Sequence, residues 1–114
     1  MFITKLKIDK KFETKNIINN MLKIDSDTKR NVIKKSIKSR LKTTYIYIYE
    51  EYYLRTNSDL TVTIFIEEEE NSTNVELISS GGGVGMMSNS FGSEAKSLKE
   101  LKNELISYGF KEYD

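Results

Sequence analysis

The sequence predicts an α+β fold, an antiparallel sheet of four or five strands with an N-terminal helix and a long C-terminal helix packed on one face. Three patterns carry this prediction: alternating apolar and polar residues at 2–8, three Thr-, Tyr- and Ile-rich segments separated by short polar turns, and leucines at helical spacing near the C terminus. With 114 residues, 38% of them hydrophobic, we expect one domain over residues 1–114 with a single core.

The chain begins with a predicted strand and a predicted helix. Phe2, Leu6 and Ile8 share one side of the strand, while lysines occupy the other side. Over residues 12–24 the apolar spacing changes to three and four residues, which is typical of an amphipathic helix. A strand that leads into a helix is therefore expected.

Residues 28–41 fit two structures. Ile33, Ile37 and Leu41 recur at four-residue steps, as on one side of a helix, but alternate residues from Asn31 to Ile37 also fit one side of a strand. Periodicity alone does not separate these structures, so both interpretations stay open at this point.

Three strands are predicted in the middle of the chain, at residues 43–54, 60–69 and 74–80, because these segments are rich in β-branched and aromatic residues. Turn-forming residues at 57–59 and 71–74 separate them. Connections this short require antiparallel neighbours, so the three strands should form a meander.

A long helix is predicted near the C terminus, because leucines recur there at three- and four-residue spacing. Ser97 with Glu100 offers a capping box, although Ser93 could begin the helix one turn earlier. Gly109 suits the left-handed position just past the helix, and Phe110 could then fold back as in a Schellman motif. The apolar stripe of this helix consists of Leu98, Leu101, Leu105 and Tyr108.

Composition excludes several kinds of chemistry. The sequence contains no His, Cys, Pro or Trp, so it offers no imidazole base, thiolate nucleophile, zinc finger or disulfide. Carboxylate pairs such as Glu50 with Glu51, or Glu67 with Glu69, are more typical of solvated surface than of acid-base or metal sites. We therefore expect no enzymatic activity, no catalytic residues, no cofactor and no metal.

The cellular location is predicted from what interrupts the apolar residues. Lysines break up the N-terminal segment, which argues against a signal peptide, and no run approaches the ~18 apolar residues of a membrane span. A cytoplasmic protein without a transmembrane segment is expected.

Positive and negative charge are separated along the sequence. Residues 1–42 hold 13 Lys and Arg against four acidic residues, a net +9, whereas residues 43–114 carry a net −8. The basic stretch at 29–42 suggests a nucleic-acid or membrane-surface binder as one hypothesis. The excess negative charge elsewhere should cancel long-range attraction, so at most weak nucleic-acid binding is expected.

Tyrosines alternate with isoleucines along the strand at 43–54. We expect the isoleucines to join the Val and Ile side chains of the next strands in the core, which leaves the tyrosines on the second face beside Phe65. An aromatic face this large favours association with another chain, so the main hypothesis is a non-enzymatic interaction module that forms a homo-oligomer. The predicted interaction face consists of Tyr45, Tyr47, Tyr49, Tyr53 and Phe65.

A glycine cluster follows the last predicted strand and precedes the last helix, where backbone amides often bind phosphate. Met86 and Met87 stand where a P-loop needs Lys and Ser or Thr, and no GxGxxG spacing is present. A structural role is therefore favoured over an anion site. The alternative function is a small-ligand or lipid carrier with a cavity between sheet and C-terminal helix. The candidate loop residues at its mouth are Gly81, Gly82, Gly83, Gly85 and Ser88.

The segments YEEYYL, ISSGGG and SFGSEA occur in this order along the chain. In these features the chain resembles an uncharacterised family of small bacterial domains of about the same length, with a Ser-Gly-Gly turn and a Phe-Gly-acidic start to the last helix. It departs from the family by an extra Gly83 and a more basic stretch at 28–42. The resemblance implies an antiparallel sheet with packed helices, favours a strand over 28–41, and implies no activity.

Overall fold

A computed structural model describes residues 1–23, 29–53, 58–81 and 96–114. These residues form a six-stranded sheet in the order β2-β3-β4-β5-β1-β6, in which every neighbouring pair is antiparallel, together with two helices. In chain order the elements are β1 (Phe2–Ile8), α1 (Lys15–Leu22), β2 (Lys29–Lys38), β3 (Lys42–Tyr53), β4 (Ser58–Glu69), β5 (Thr73–Gly81), α2 (Lys96–Ser107) and β6 (Lys111–Tyr113).

The predicted sheet of four or five strands with a long C-terminal helix is wrong. The sheet has six strands, and the terminal helix α2 has only 12 residues. After α2 the chain turns back at Gly109 and adds β6 to the edge of the sheet, where Leu6 of β1 pairs with Glu112. All three residues of β6 are exposed, so this strand has no buried side chain whose alternation a sequence pattern could detect.

The segment that fitted both helix and strand is the edge strand β2. It pairs with β3 from Lys29 opposite Glu51 to Lys38 opposite Thr43. Ile33 and Ile37 lie an even number of residues apart, so they share one side of a strand as readily as one side of a helix. Leu41 is 81% exposed, as expected for a residue in the turn between two strands.

A β-bulge interrupts β2. Arg30 pairs with Glu50 and Ile33 pairs with Ile48, so β2 carries one extra residue between these positions. Asn31 in the bulge has a φ of +53°, and its side-chain amide donates a hydrogen bond to Oε1 of Glu50. Asn tolerates the left-handed region better than most residues, so the sequence suits the bulge.

Substitutions at Asn31 test this backbone conformation. We expect Asn31→Val to lower the free energy of unfolding by about 1–2 kcal/mol, because a β-branched side chain is strained at positive φ. Asn31→Gly should cost less, since glycine adopts this φ without strain. Urea unfolding of both variants measures the difference, and equal losses would show that the left-handed backbone is not what the site selects.

The core lies between the helices and one side of the sheet. Both helices contribute fully buried residues, among them Ile18 of α1 and Leu101 of α2, to the same cluster as the sheet side chains. The inward sheet residues alternate along β1, β3, β4 and β5, as period two requires. The buried apolar residues are Leu6, Ile8, Ile18, Leu22, Tyr47, Tyr49, Leu60, Val62, Ile64, Ile66, Val75, Leu77, Leu98, Leu101, Leu105 and Phe110.

The register of β3 against β4 contradicts the predicted orientation of the tyrosines. Tyr47 lies opposite Ile64 and Tyr49 lies opposite Val62, and directly opposed residues project from the same side of a sheet. Tyr47 and Tyr49 are therefore 4% and 0% exposed in the core, while the isoleucines of β3 face the other side. The prediction that these tyrosines lie on the face opposite the Val and Ile core is wrong.

The two ends of α2 differ in how well the sequence predicted them. Gly109 has a φ of +110°, its N–H donates to the Ile106 carbonyl at 3.0 Å, and the Phe110 N–H donates to the Leu105 carbonyl at 3.1 Å. These bonds form the predicted Schellman motif. Ser97 does not cap the helix, because it lies inside α2 and its Oγ donates to Oε2 of Glu51 at 3.1 Å.

Candidate interaction surface

The side of the sheet away from the helices, called the open face below, carries a band of apolar side chains. Ladder pairs connect one row across five strands: Ile33 opposite Ile48, Ile48 opposite Thr63, Thr63 opposite Ile78, and Ile78 opposite Ile3. The row is apolar except for one threonine. Ile33 and Ile3 at its ends are 53% and 51% exposed, so the described residues leave the band in contact with solvent.

A second row runs beside the first. Ile46 lies opposite Phe65, and Phe65 lies opposite Glu76. Lys35 of β2 and Lys5 of β1 stand in the same row on either side. On β3 the apolar band therefore contains two side chains, one from each row. The second row changes to charged residues of both signs on β2, β5 and β1.

Ion pairs flank the band along the strand direction. At one end Lys42 Nζ lies 2.6 Å from Oε2 of Glu67. This hydrogen bond is the main reason why the pKa of Lys42 is higher than that of an ordinary lysine. At the other end Arg30 Nη2 lies 2.8 Å from Oδ1 of Asp59, and the Arg30 guanidinium lies 5.0 Å from the centre of the Tyr52 ring. An apolar centre with a polar rim is the usual anatomy of a protein interface.

The predicted interaction residues divide between the two sides of the sheet. Phe65 lies on the open face, half-buried, whereas Tyr45, Tyr47 and Tyr49 lie on the helix side. Burial raises the pKa of both Tyr45 and Tyr47, and the carboxylate of Glu68 adds to the increase. The side chain of Tyr53 lies outside the described residues, and the other residues of the predicted set do not form one surface.

Residues of the open face that sequence reasoning missed are Ile3, Ile33, Ile37, Ile46 and Ile48. Ile3 occurs on the side of β1 that otherwise carries lysines, and Ile37 is 54% exposed on the edge strand. An apolar residue on the polar side of an amphipathic strand is the signal that could have identified this surface.

The glycine segment is described at its first residue only. Gly81 ends β5 and pairs with Leu60 of β4. The other predicted loop residues, Gly82, Gly83, Gly85 and Ser88, lie outside the described residues.

The basic stretch is partly matched by acidic residues of the neighbouring strands. Lys29 Nζ lies 3.4 Å from Oε1 of Glu51, and Arg30 and Lys42 form the ion pairs described above. Acidic residues of β3 and β4 therefore lie next to three basic residues of the stretch 29–42.

Two further observations concern the described ranges alone. Neither α1 nor α2 is long and apolar enough to cross a bilayer. Within 1–23, 29–53, 58–81 and 96–114, no cluster of three or more acidic residues is placed to hold a metal ion.

The family of unknown function DUF6054 matches residues 8–109, which is most of the chain. The protein belongs to this family. The match confirms the resemblance to an uncharacterised family, and it spans α1, the strands β2 to β5 and α2. DUF6054 has no assigned activity; no curated protein and no solved structure matches the chain significantly.

Proposed function

We propose that this protein is a non-enzymatic interaction module that self-associates by packing its open face against the open face of a second copy. The observation that carries the proposal is the row across five strands from Ile33 to Ile3, in which four of the five side chains are isoleucines. Monomeric proteins rarely expose a continuous apolar band of this kind, because its contact with water is unfavourable.

The charges on the open face favour a second copy over a strongly charged partner. Lys5, Lys35 and Lys42 are accompanied on this face by Glu67 and Glu76. Basic and acidic groups are interspersed, so two copies meet without a large excess of like charge. A nucleic acid would require an excess of positive charge on the contact surface, and the described residues of the open face have no such excess.

The dimensions of the molecule also suit a dimer. Its two longer dimensions are 42 and 26 Å, and these match the length of the 12-residue strands β3 and β4 and the width of six strands spaced about 4.8 Å apart. A face of this size exceeds the roughly 800 Å² per partner that a stable interface of standard size buries. Two sheets packed face to face about 10 Å apart would remove the isoleucine band from water, as in a β-sandwich.

Sedimentation of matched variants tests the proposal. We expect the wild-type protein to form a dimer at protein concentrations of about 10–100 µM. These concentrations exceed the micromolar Kd of the weakest interfaces of this size. Ile33→Lys should shift it to the monomer, because each copy would place a charge in the apolar contact. The matched control is Ile106→Lys, on the exposed side of α2, where Ile106 is 42% exposed; this variant should remain dimeric.

Two results would contradict self-association through this face. The first is a wild-type monomer over the whole concentration range. The second is a dimer that Ile106→Lys disrupts and Ile33→Lys leaves intact, since the contact surface would then lie on the helix side.

A further inference from the structure

A groove of about 280 Å³ lies on the helix side of the sheet, between α1 and the edge strand β2. Its lining residues come from three elements: Lys15 and Asn19 of α1, Tyr45 and Tyr47 of β3, and Lys34, Lys35 and Ser36 of β2. The register explains this composition, because Lys34 lies opposite Tyr47 and therefore projects from the same side of the sheet. Eight of the ten residues of β2 are exposed, and the groove lies beside this strand.

The groove is rich in hydrogen-bond donors. Lys15 and Lys34 supply ammonium groups, Asn19 supplies an amide, and no carboxylate is among the described residues that line it. None of the ion pairs within the described ranges involves Lys15. Charge and donors of this kind suit an anion with several acceptor oxygens.

The tyrosines add no negative charge to the groove at neutral pH. A phenol with the ordinary pKa of about 10 is already protonated there, and burial raises the pKa of Tyr45 and Tyr47 further. Glu13 and Glu68 add to the increase at Tyr45 through their charge, yet neither residue lines the groove. Tyr45 is only half-buried, which leaves part of its ring accessible from the groove.

We propose that this groove binds a small phosphorylated molecule. Its phosphate is held by Lys15, with Asn19 as a further donor and with Lys34 and Lys35 adding positive charge around the groove, and its ring or other apolar part packs against Tyr45. The volume of about 280 Å³ lies near the lower end of small-molecule pockets, which begin at about 300 Å³. The ligand is therefore a compact monophosphate and not a long chain or a polymer.

This site is independent of the proposed self-association. The groove is lined mainly by helix-side residues, although Lys35 of the open face also borders it, whereas the isoleucine band lies on the open face. The binding result therefore stands whether or not the protein forms a dimer.

Titration with phenyl phosphate, followed by the amide resonances of the full chain, tests the site. We expect saturable binding with shifts confined to α1, β2 and β3, and weaker binding of inorganic phosphate, which lacks the ring. Lys15→Gln should weaken binding by about tenfold or more, the loss expected for one charge-assisted hydrogen bond. Lys99→Gln, which removes an exposed charge from α2, should leave the affinity unchanged.

Two variants of Tyr45 distinguish the contribution of its hydroxyl to binding from that of its ring. Tyr45→Phe keeps the ring and should bind phenyl phosphate more tightly than Tyr45→Ala does. The amide spectrum of each variant, compared with that of the wild type, shows whether the fold is kept. Equal affinity of wild type and Lys15→Gln would overturn the proposal. Tighter binding of a single-stranded oligonucleotide than of phenyl phosphate would also contradict it.

Discussion

Phe110→Ala should lower the free energy of unfolding by about 4 kcal/mol, within the range measured for large aromatic residues truncated in protein cores. Phe110 is 2% exposed, and its ring meets that of Phe12 edge to face, with centroids 5.2 Å apart. Its backbone N–H closes the Schellman motif at the end of α2. The substitution therefore leaves a cavity where the helix, β6 and the segment before α1 meet.

Tyr108→Ala is the matched control for this prediction. Tyr108 also contacts Phe12, with ring centroids 5.4 Å apart, but it is 47% exposed. Its truncation removes an aromatic contact of similar distance without creating a buried cavity, so about 1 kcal/mol is expected from the ring pair alone. Chemical denaturation of both variants measures the two losses, and losses of equal size would contradict the proposed role of burial.

Lys29→Met should lower the free energy of unfolding by roughly 3 kcal/mol, since removing one partner of a buried ion pair leaves the other charge uncompensated. The side chains of Lys29 and Glu51 are 8% and 14% exposed. Glu51 also accepts the hydrogen bond from Ser97, so this pair joins β2 and β3 to the beginning of α2. The Lys29 ammonium lies 5.7 Å from the centre of the Tyr49 ring, which adds a cation-π contact.

A double variant and an exposed pair control for this effect. Lys29→Met combined with Glu51→Leu should recover part of the loss, because both charges are then absent from the buried position. Lys7→Met removes one member of an exposed pair, in which Lys7 and Asp9 are 49% and 88% exposed. Its cost should be within about 1 kcal/mol. A Lys29→Met variant as stable as Lys7→Met would show that Lys29 does not balance the Glu51 charge.

Much of the fold is predictable from local patterns. The strands of the meander, the first strand and helix, and the end of α2 at Gly109 each have a signal confined to a few neighbouring residues, and the structure confirms them. β6 has no such signal. β6 forms because the chain turns at Gly109 and because β1 has a free edge with which a further strand can pair. The three residues Lys111–Tyr113 carry no signal for either condition.

The predicted interaction face depended on register, which the sequence did not determine. β3 is apolar on both sides, with tyrosines on one and isoleucines on the other, so period two fits either orientation. A shift of one residue exchanges the two sides. The structure pairs Tyr49 with Val62 and Ile48 with Thr63, which places the larger rings in the core and the isoleucines on the open face.

Intermolecular contacts in a mixed sample test the central proposal most directly. One half of the protein would carry labelled isoleucine methyl groups and the other half would be unlabelled, so that filtered nuclear Overhauser effects arise only between copies. We predict such effects from the methyl groups of Ile46, Ile48 and Ile33 to the Phe65 ring of the second copy. Their absence, with the protein a monomer at the same concentration, or effects that involve only Ile106 of α2, would contradict self-association through the open face.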